Sequence, residues 1–190
     1  MIFHLESGFF RERTLHDLVY AAPFAAPLAY IGVGLLVILS RVETPGSLVW
    51  SQWVMFLALG GFVGNFALSL TDHAQNGFYA TAEWIPVAAA AVAIGFLGIA
   101  TFRPGDARFR KITGGVMAIE LAVAIAGVVF HWVGIFETPG PDFAYRVVYG
   151  PPAFAPLLFA NLALLAALGL WAAGRATPAA AGASTAAATV

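Results

Sequence analysis

Long apolar runs alternate along the chain with short polar segments punctuated by Pro and Gly. The runs cover residues 18–40, 48–70, 79–102, 112–136 and 147–173. Each is close to the roughly 20 residues that carry a helix across hydrocarbon. Within lipid the backbone must satisfy its own hydrogen bonds, so the runs predict helices. The linkers hold Thr44-Pro45-Gly46, Arg103-Pro104-Gly105 and Thr138-Pro139-Gly140-Pro141, all turn formers. The pattern therefore predicts an all-α integral membrane protein, a single bundle of five transmembrane helices over residues 18–173. Residues 1–17 form a short terminal segment whose Ile2, Phe3, Leu5, Phe9, Phe10 and Leu15 suit a membrane interface, or a frayed end. Its charges are mixed and the run behind it is full length, so no leader cleavage is expected. Residues 174–190 are an Ala/Thr/Ser tail, expected to be disordered.

Inside the runs two small-scale patterns stand out. Tyr20, Tyr79 and Tyr149 each precede a proline by seven positions, at Pro27, Pro86 and Pro156. This faint repeat predicts kinked odd-numbered helices, each bent about two turns in from an interfacial Tyr. Gly60-xxx-Gly64, Gly32, Gly34, Gly114, Gly115 and Gly127 are expected to let helices approach closely.

Composition agrees with a lipid-embedded chain. Of 190 residues, 61% are hydrophobic and 10% charged, with mean hydropathy +0.85. Soluble domains carry about 25% charged residues. Net charge is −1, with no basic field for nucleic acid. There is no Cys, which excludes disulfides and thiolate metal sites.

Charge placement sets a topology. With five crossings, Arg41, Arg103, Arg108, Arg110, Lys111 and Arg175 share one side, and Arg11, Arg13 and Arg146 the other. The positive-inside rule then puts the amino terminus outside and the carboxyl tail in the cytoplasm. The flanks of the first run alone lean the opposite way, but the dense Arg103–Lys111 loop outweighs them. Trp50, Trp53 and Trp171 would mark the inner interface, Trp84 and Trp132 the outer.

The same topology gathers all four His (His4, His16, His73, His131) and Asp17, Asp72, Glu83, Glu137 and Asp142 toward the outer side. The most concentrated part is the Asp72-His73-Ala74-Gln75-Asn76-Gly77 stretch, read as a loop after the second helix. Imidazoles and carboxylates are ligands for a metal, and imidazole for haem iron. This makes His73 and His131 cofactor candidates, with Asp72, Glu83 and Glu137 as ligands or orienting partners. No His-x3-His or His-Glu-x-x-His spacing accompanies them. The competing reading is a solvated turn, with Glu83 placed by the helix dipole.

Glu120 lies inside the fourth run, about 14 Å beyond Lys111 at 1.5 Å per residue. An ionised carboxylate at that depth costs a few kcal/mol or more. Asn161 is the expected partner at similar depth, with Asn65 nearer the outer side. Either they form a proton or cation relay, or they glue helices together. No phosphate loop, hydrolase elbow or catalytic carboxylate pair is present. Two functions follow from these residues. The first is a non-catalytic membrane subunit of a larger complex, with a redox, metal- or haem-binding complex as its specific form, that uses the outer site with other subunits or a second copy as partner. The other is a small transporter or channel coupled through Glu120.

Overall fold

In the computed structural model of the chain, residues 28–187 are described, with side chains to residue 176. They form helices α1 (Leu28–Val42), α2 (Leu48–Ala74), α3 (Trp84–Phe102), α4 (Ala107–Glu137), the short α5 (Phe143–Tyr149) and α6 (Leu157–Ala187). A 3-10 turn, Thr81–Glu83, leads into α3. Among the described residues there is no strand.

Four segments are long and apolar enough to cross a membrane, Leu48–Ala74, Thr81–Phe102, Ala107–Glu137 and Leu157–Ala176, which supports an integral membrane location. α1 has 15 residues, short of a full span on its own, and the remainder of the first expected crossing lies outside the described residues.

The four long helices run alternately up and down, in a ring of order α2, α3, α4, α6. The start of α2 meets the end of α3, where Gln52 Nε2 donates to the Thr101 carbonyl at 3.1 Å. Phe96 of α3 stacks on Phe109 of α4 at 5.6 Å. Gly127 of α4 faces Pro156 and Gly61 of α2 faces Leu162. The shared core contains Met55, Phe62, Leu97, Met117, Phe159 and alanines of α3 and α6. α1 rides outside the ring, with Leu39 against Trp50, Val54 and Ala172. One end of the ring carries Arg103, Arg108, Arg110 and Lys111, the arginine end. The other carries His73 and His131, the histidine end.

Caps explain where helices begin. Ser47 accepts from the Trp50 amide at 3.1 Å and Asp106 from the Phe109 amide at 2.9 Å. The Asp106 cap starts α4 five residues ahead of the expected 112, so Arg108, Arg110 and Lys111 are helical. α2 also runs further, to Ala74, placing Asp72 and His73 in its last turn and not in a loop.

Proline corrects the fifth expected span. Residues 147–173 are not one helix: α5 ends at Tyr149, and α6 starts at Leu157. Pro151, Pro152 and Pro156 lack the amides a helix needs, and each disfavours a helical residue before it. The same physics corrects the kinks. Pro86 is the third residue of α3 and Pro156 immediately precedes α6, positions where a missing amide costs nothing. Tyr79 lies outside any helix, and Tyr20 and Pro27 lie outside the described residues. At its far end α6 continues to Ala187, well past the expected 173, through residues rich in the best helix former.

Glycine packing is also redistributed. Gly60, Gly64, Gly32, Gly34, Gly114 and Gly115 have open space beside them, whereas Gly61, Gly127, Gly134 and Gly169 touch a neighbouring segment. Trp50 is 8% exposed and belongs to the core contact with α1, not to an interfacial belt.

Candidate functional site

At the histidine end, α2 hands over to α3 through a tight connection. Gly77 (φ +70°) and Phe78 (φ +55°) both take left-handed backbone, strained for Phe. The Phe78 amide is held by the His73 carbonyl at 3.0 Å and by Asn76 Oδ1 at 3.1 Å. Its ring stacks on Trp84 with centroids 3.8 Å apart and planes 9° apart. His73 lies 6.2 Å from the Phe78 ring. Stacking of this kind contributes about 0.5–1.5 kcal/mol beyond area burial, comparable to the strain at Phe78.

Glu83 ties this connection together. Its Oε1 accepts from Asn76 Nδ2 at 3.2 Å and from the Ala80 amide at 3.4 Å. Its Oε2 is 3.5 Å from His73 Nδ1, an ion-pair distance with no hydrogen-bond geometry. Glu83 therefore does more than greet a helix dipole: it bridges the last turn of α2 to the first of α3. Sequence reasoning gave Asn76 only a turn-forming role and Phe78 none. The Asn76-Gly77 dipeptide signalled the turn, but nothing in it signalled the Phe–Trp stack.

His131 joins from α4. Its Nδ1 donates to the Pro152 carbonyl at 2.8 Å. It is close enough to Asp72 and His73 to act electrostatically on both. The structure thus brings Asp72, His73, Glu83 and His131 to one end of the bundle. Glu137 stands apart, exposed at the end of α4, roughly 9 Å along the helix from His131. Asp142 caps α5 by accepting from the Tyr145 amide at 2.8 Å. His4, His16 and Asp17 lie outside the described residues.

A metal centre needs at least three donors converging. Among the described residues, no group of three or more His, Asp or Glu is placed to hold one ion, so the expected metal site finds no support here. The two imidazoles are held by different partners, Glu83 for His73 and the Pro152 carbonyl for His131.

Below this layer sits Glu120, 1% exposed, with Oε2 lacking any hydrogen-bond partner. Asn65 is 6% exposed, and its Nδ2 also lacks a partner. Asn161 is not the partner of Glu120. It is exposed on the outside of α6, because its position on that helix is out of register with the inward-facing Phe159, Ala160 and Ala163. The buried hydroxyls of Ser51, Thr101 and Thr113 are satisfied by carbonyls of their own helices, whereas Glu120 and Asn65 are unpaired within the ring. Among the described residues, Trp50 Nε1, against α1, and Arg146 Nε, on α5, are the other unpaired buried nitrogens.

No protein-family model, no curated protein and no solved structure matches this chain.

Proposed function

We propose that the chain is a non-catalytic, multi-pass membrane subunit of a larger assembly, working through the polar layer at its histidine end. The supporting observation is convergence. Asp72, His73, Glu83 and His131 come from three segments, yet sit together around a stacked, cross-braced connection, beside the fully open Tyr79, which is 90% exposed. A rigid, charged and aromatic surface of that kind suits docking of a partner's polar face. We place this layer outside and the arginine end in the cytoplasm, with the first apolar run, residues 18–40, proposed as the fifth crossing.

The test is native electrophoresis of tagged protein extracted from its own membranes in mild detergent. Migration well above the 19.9 kDa chain is expected, lost in the His73→Ala/His131→Ala variant and retained in Ile119→Ala, which alters a lipid-facing side chain. Wild-type protein migrating as a single chain would overturn the reading.

The partnerless Glu120 carboxyl favours a second reading, a small proton or cation carrier. Ionisable residues within a membrane are functional by default. Its test is proton flux into liposomes, expected to be lost in Glu120→Gln. Flux that persists in that variant removes Glu120 from the mechanism.

A further inference from the structure

Glu120 is the single ionisable side chain in the interior of the described bundle. α3 contains none at all, and neither do residues 49–71 of α2 or 157–174 of α6. The charged groups nearest along the packed elements lie at both ends. Toward the arginine end they are Lys111 and Arg110, nine and ten residues along α4, where Arg110 donates to the Pro104 carbonyl. Toward the histidine end they are His131 eleven residues along α4, Asp72 and His73 at the end of α2, and Arg146 on α5.

Heights can be read from the glycine contacts. Gly127 is level with Pro156, so Glu120 is level with about residue 163 of α6. Gly61 is level with Leu162, so Asn65 is level with about residue 158. The two unpaired groups are therefore offset by about five residues, roughly 7 Å along the axis. Between those heights the rings of Phe62 and Phe159 meet edge to face at 6.5 Å. Phe62 is wholly buried. Beyond Asn65, the inward stripe of α2 continues through buried Ser69 to Asp72 and His73. Toward the arginine end, the interior of the ring is filled by Met55, Leu97 and Met117, and the one unpaired buried polar atom there among the described residues, Trp50 Nε1, lies in the contact with α1 outside the ring.

We propose that Glu120 is an internal proton-binding site that reaches solvent from the histidine end alone, along Asn65, Ser69 and the Asp72/His73 turn, with the Phe62–Phe159 pair as the barrier between Glu120 and that path. One proton is exchanged between the carboxyl group and water admitted along the stripe; no bond other than O–H forms or breaks. Buried polar groups with open hydrogen-bonding capacity are where internal water binds. The inference deepens the second reading, but it concerns access and not transport.

The test is infrared spectroscopy of the full chain in lipid, following the carboxylic acid C=O band on transfer to heavy water. A band that disappears in Glu120→Gln identifies the group. Its exchange is expected to slow severalfold in Asn65→Leu and to quicken severalfold in Phe62→Leu, a milder change than truncation to Ala. Absence of a Glu120-dependent band, or exchange indifferent to both substitutions, overturns the proposal. If liposome flux is absent while the exchange results hold, the carrier reading falls and the internal site stands.

Discussion

Gly169 gives the sharpest test of how the bundle is held together. A Cβ placed there would lie 2.7 Å from Met55 Cγ, 3.1 Å from the Ser51 carbonyl oxygen and 3.2 Å from the Met55 amide nitrogen. The Met55 side chain can turn away. The Ser51 carbonyl and the Met55 amide are backbone, fixed by the helical ladder of α2, so relief requires α2 and α6 to separate. Overpacking of this kind costs about 1–3 kcal/mol. Against it, Gly→Ala in a helix gains up to about 1 kcal/mol of propensity. Gly60 supplies the control, since it lies in the same bundle but has open space where its Cβ would be. Gly60→Ala collects the propensity gain alone. The gain is common to both variants and cancels, so Gly169→Ala should be less stable than Gly60→Ala by about 1–3 kcal/mol. Reversible unfolding in mixed micelles, followed by circular dichroism, measures the difference. Equal stabilities, or Gly169→Ala the more stable, would show that the α2–α6 contact is not drawn tight at this glycine.

Three further outcomes are expected. Asp106→Ala removes the cap on α4 and should cost about 1 kcal/mol in the same unfolding assay; no change would mean that Asp106 leaves the Phe109 amide to water. A double-mutant cycle on His73 and Glu83 should give a coupling of roughly 0.2–1 kcal/mol, since both side chains are about one-fifth exposed (22% and 17%); a coupling of several times that would mean the pair is desolvated. Because the chain has no native Cys, single cysteines at Tyr79 and Gly105 can be labelled in intact cells with an impermeant maleimide. Labelling is expected at Tyr79→Cys and only after permeabilisation at Gly105→Cys, and the reverse pattern would invert the proposed orientation.

The sequence made the long helices legible because their signal is bulk: a score of apolar residues needs no partner to be recognised. The starts of α2 and α4 and the Phe102 end of α3 fall within a few residues of the pattern or are explained by caps. Proline was the misread signal. The repeat reads Pro86 and Pro156 as bends inside long helices, when the cheaper place for a residue without an amide is the first turn or just before it. Glycine was misread for a different reason. Whether Gly60 or Gly61 packs depends on which side of α2 faces α6, and an all-apolar helix carries no amphipathic stripe to say so. Asn161 failed as a partner for the same reason: depth can be counted along a chain, whereas facing cannot.

The candidate site shows what counting does recover. Topology alone put His73, Glu83 and His131 at one end, because alternating helices return every second connection to the same side. It could not supply the bonds within that end, which depend on the left-handed turn at Gly77 and Phe78 and on the Pro152 carbonyl meeting His131. Lipid tails are as apolar as the helices, so burial of Leu or Phe against a neighbour discriminates weakly between arrangements in a bilayer. Specific contacts must then do more of the work of fixing one packing. In this bundle they fall into two classes: close glycine contacts such as Gly61 and Gly169 between spans, and polar bridges such as Glu83 and Gln52 at the ends. Glu120 belongs to neither class. A group that neither packs a seam nor closes a bridge contributes nothing evident to holding the helices in place, and that is the physical reason to look for its role in binding a proton.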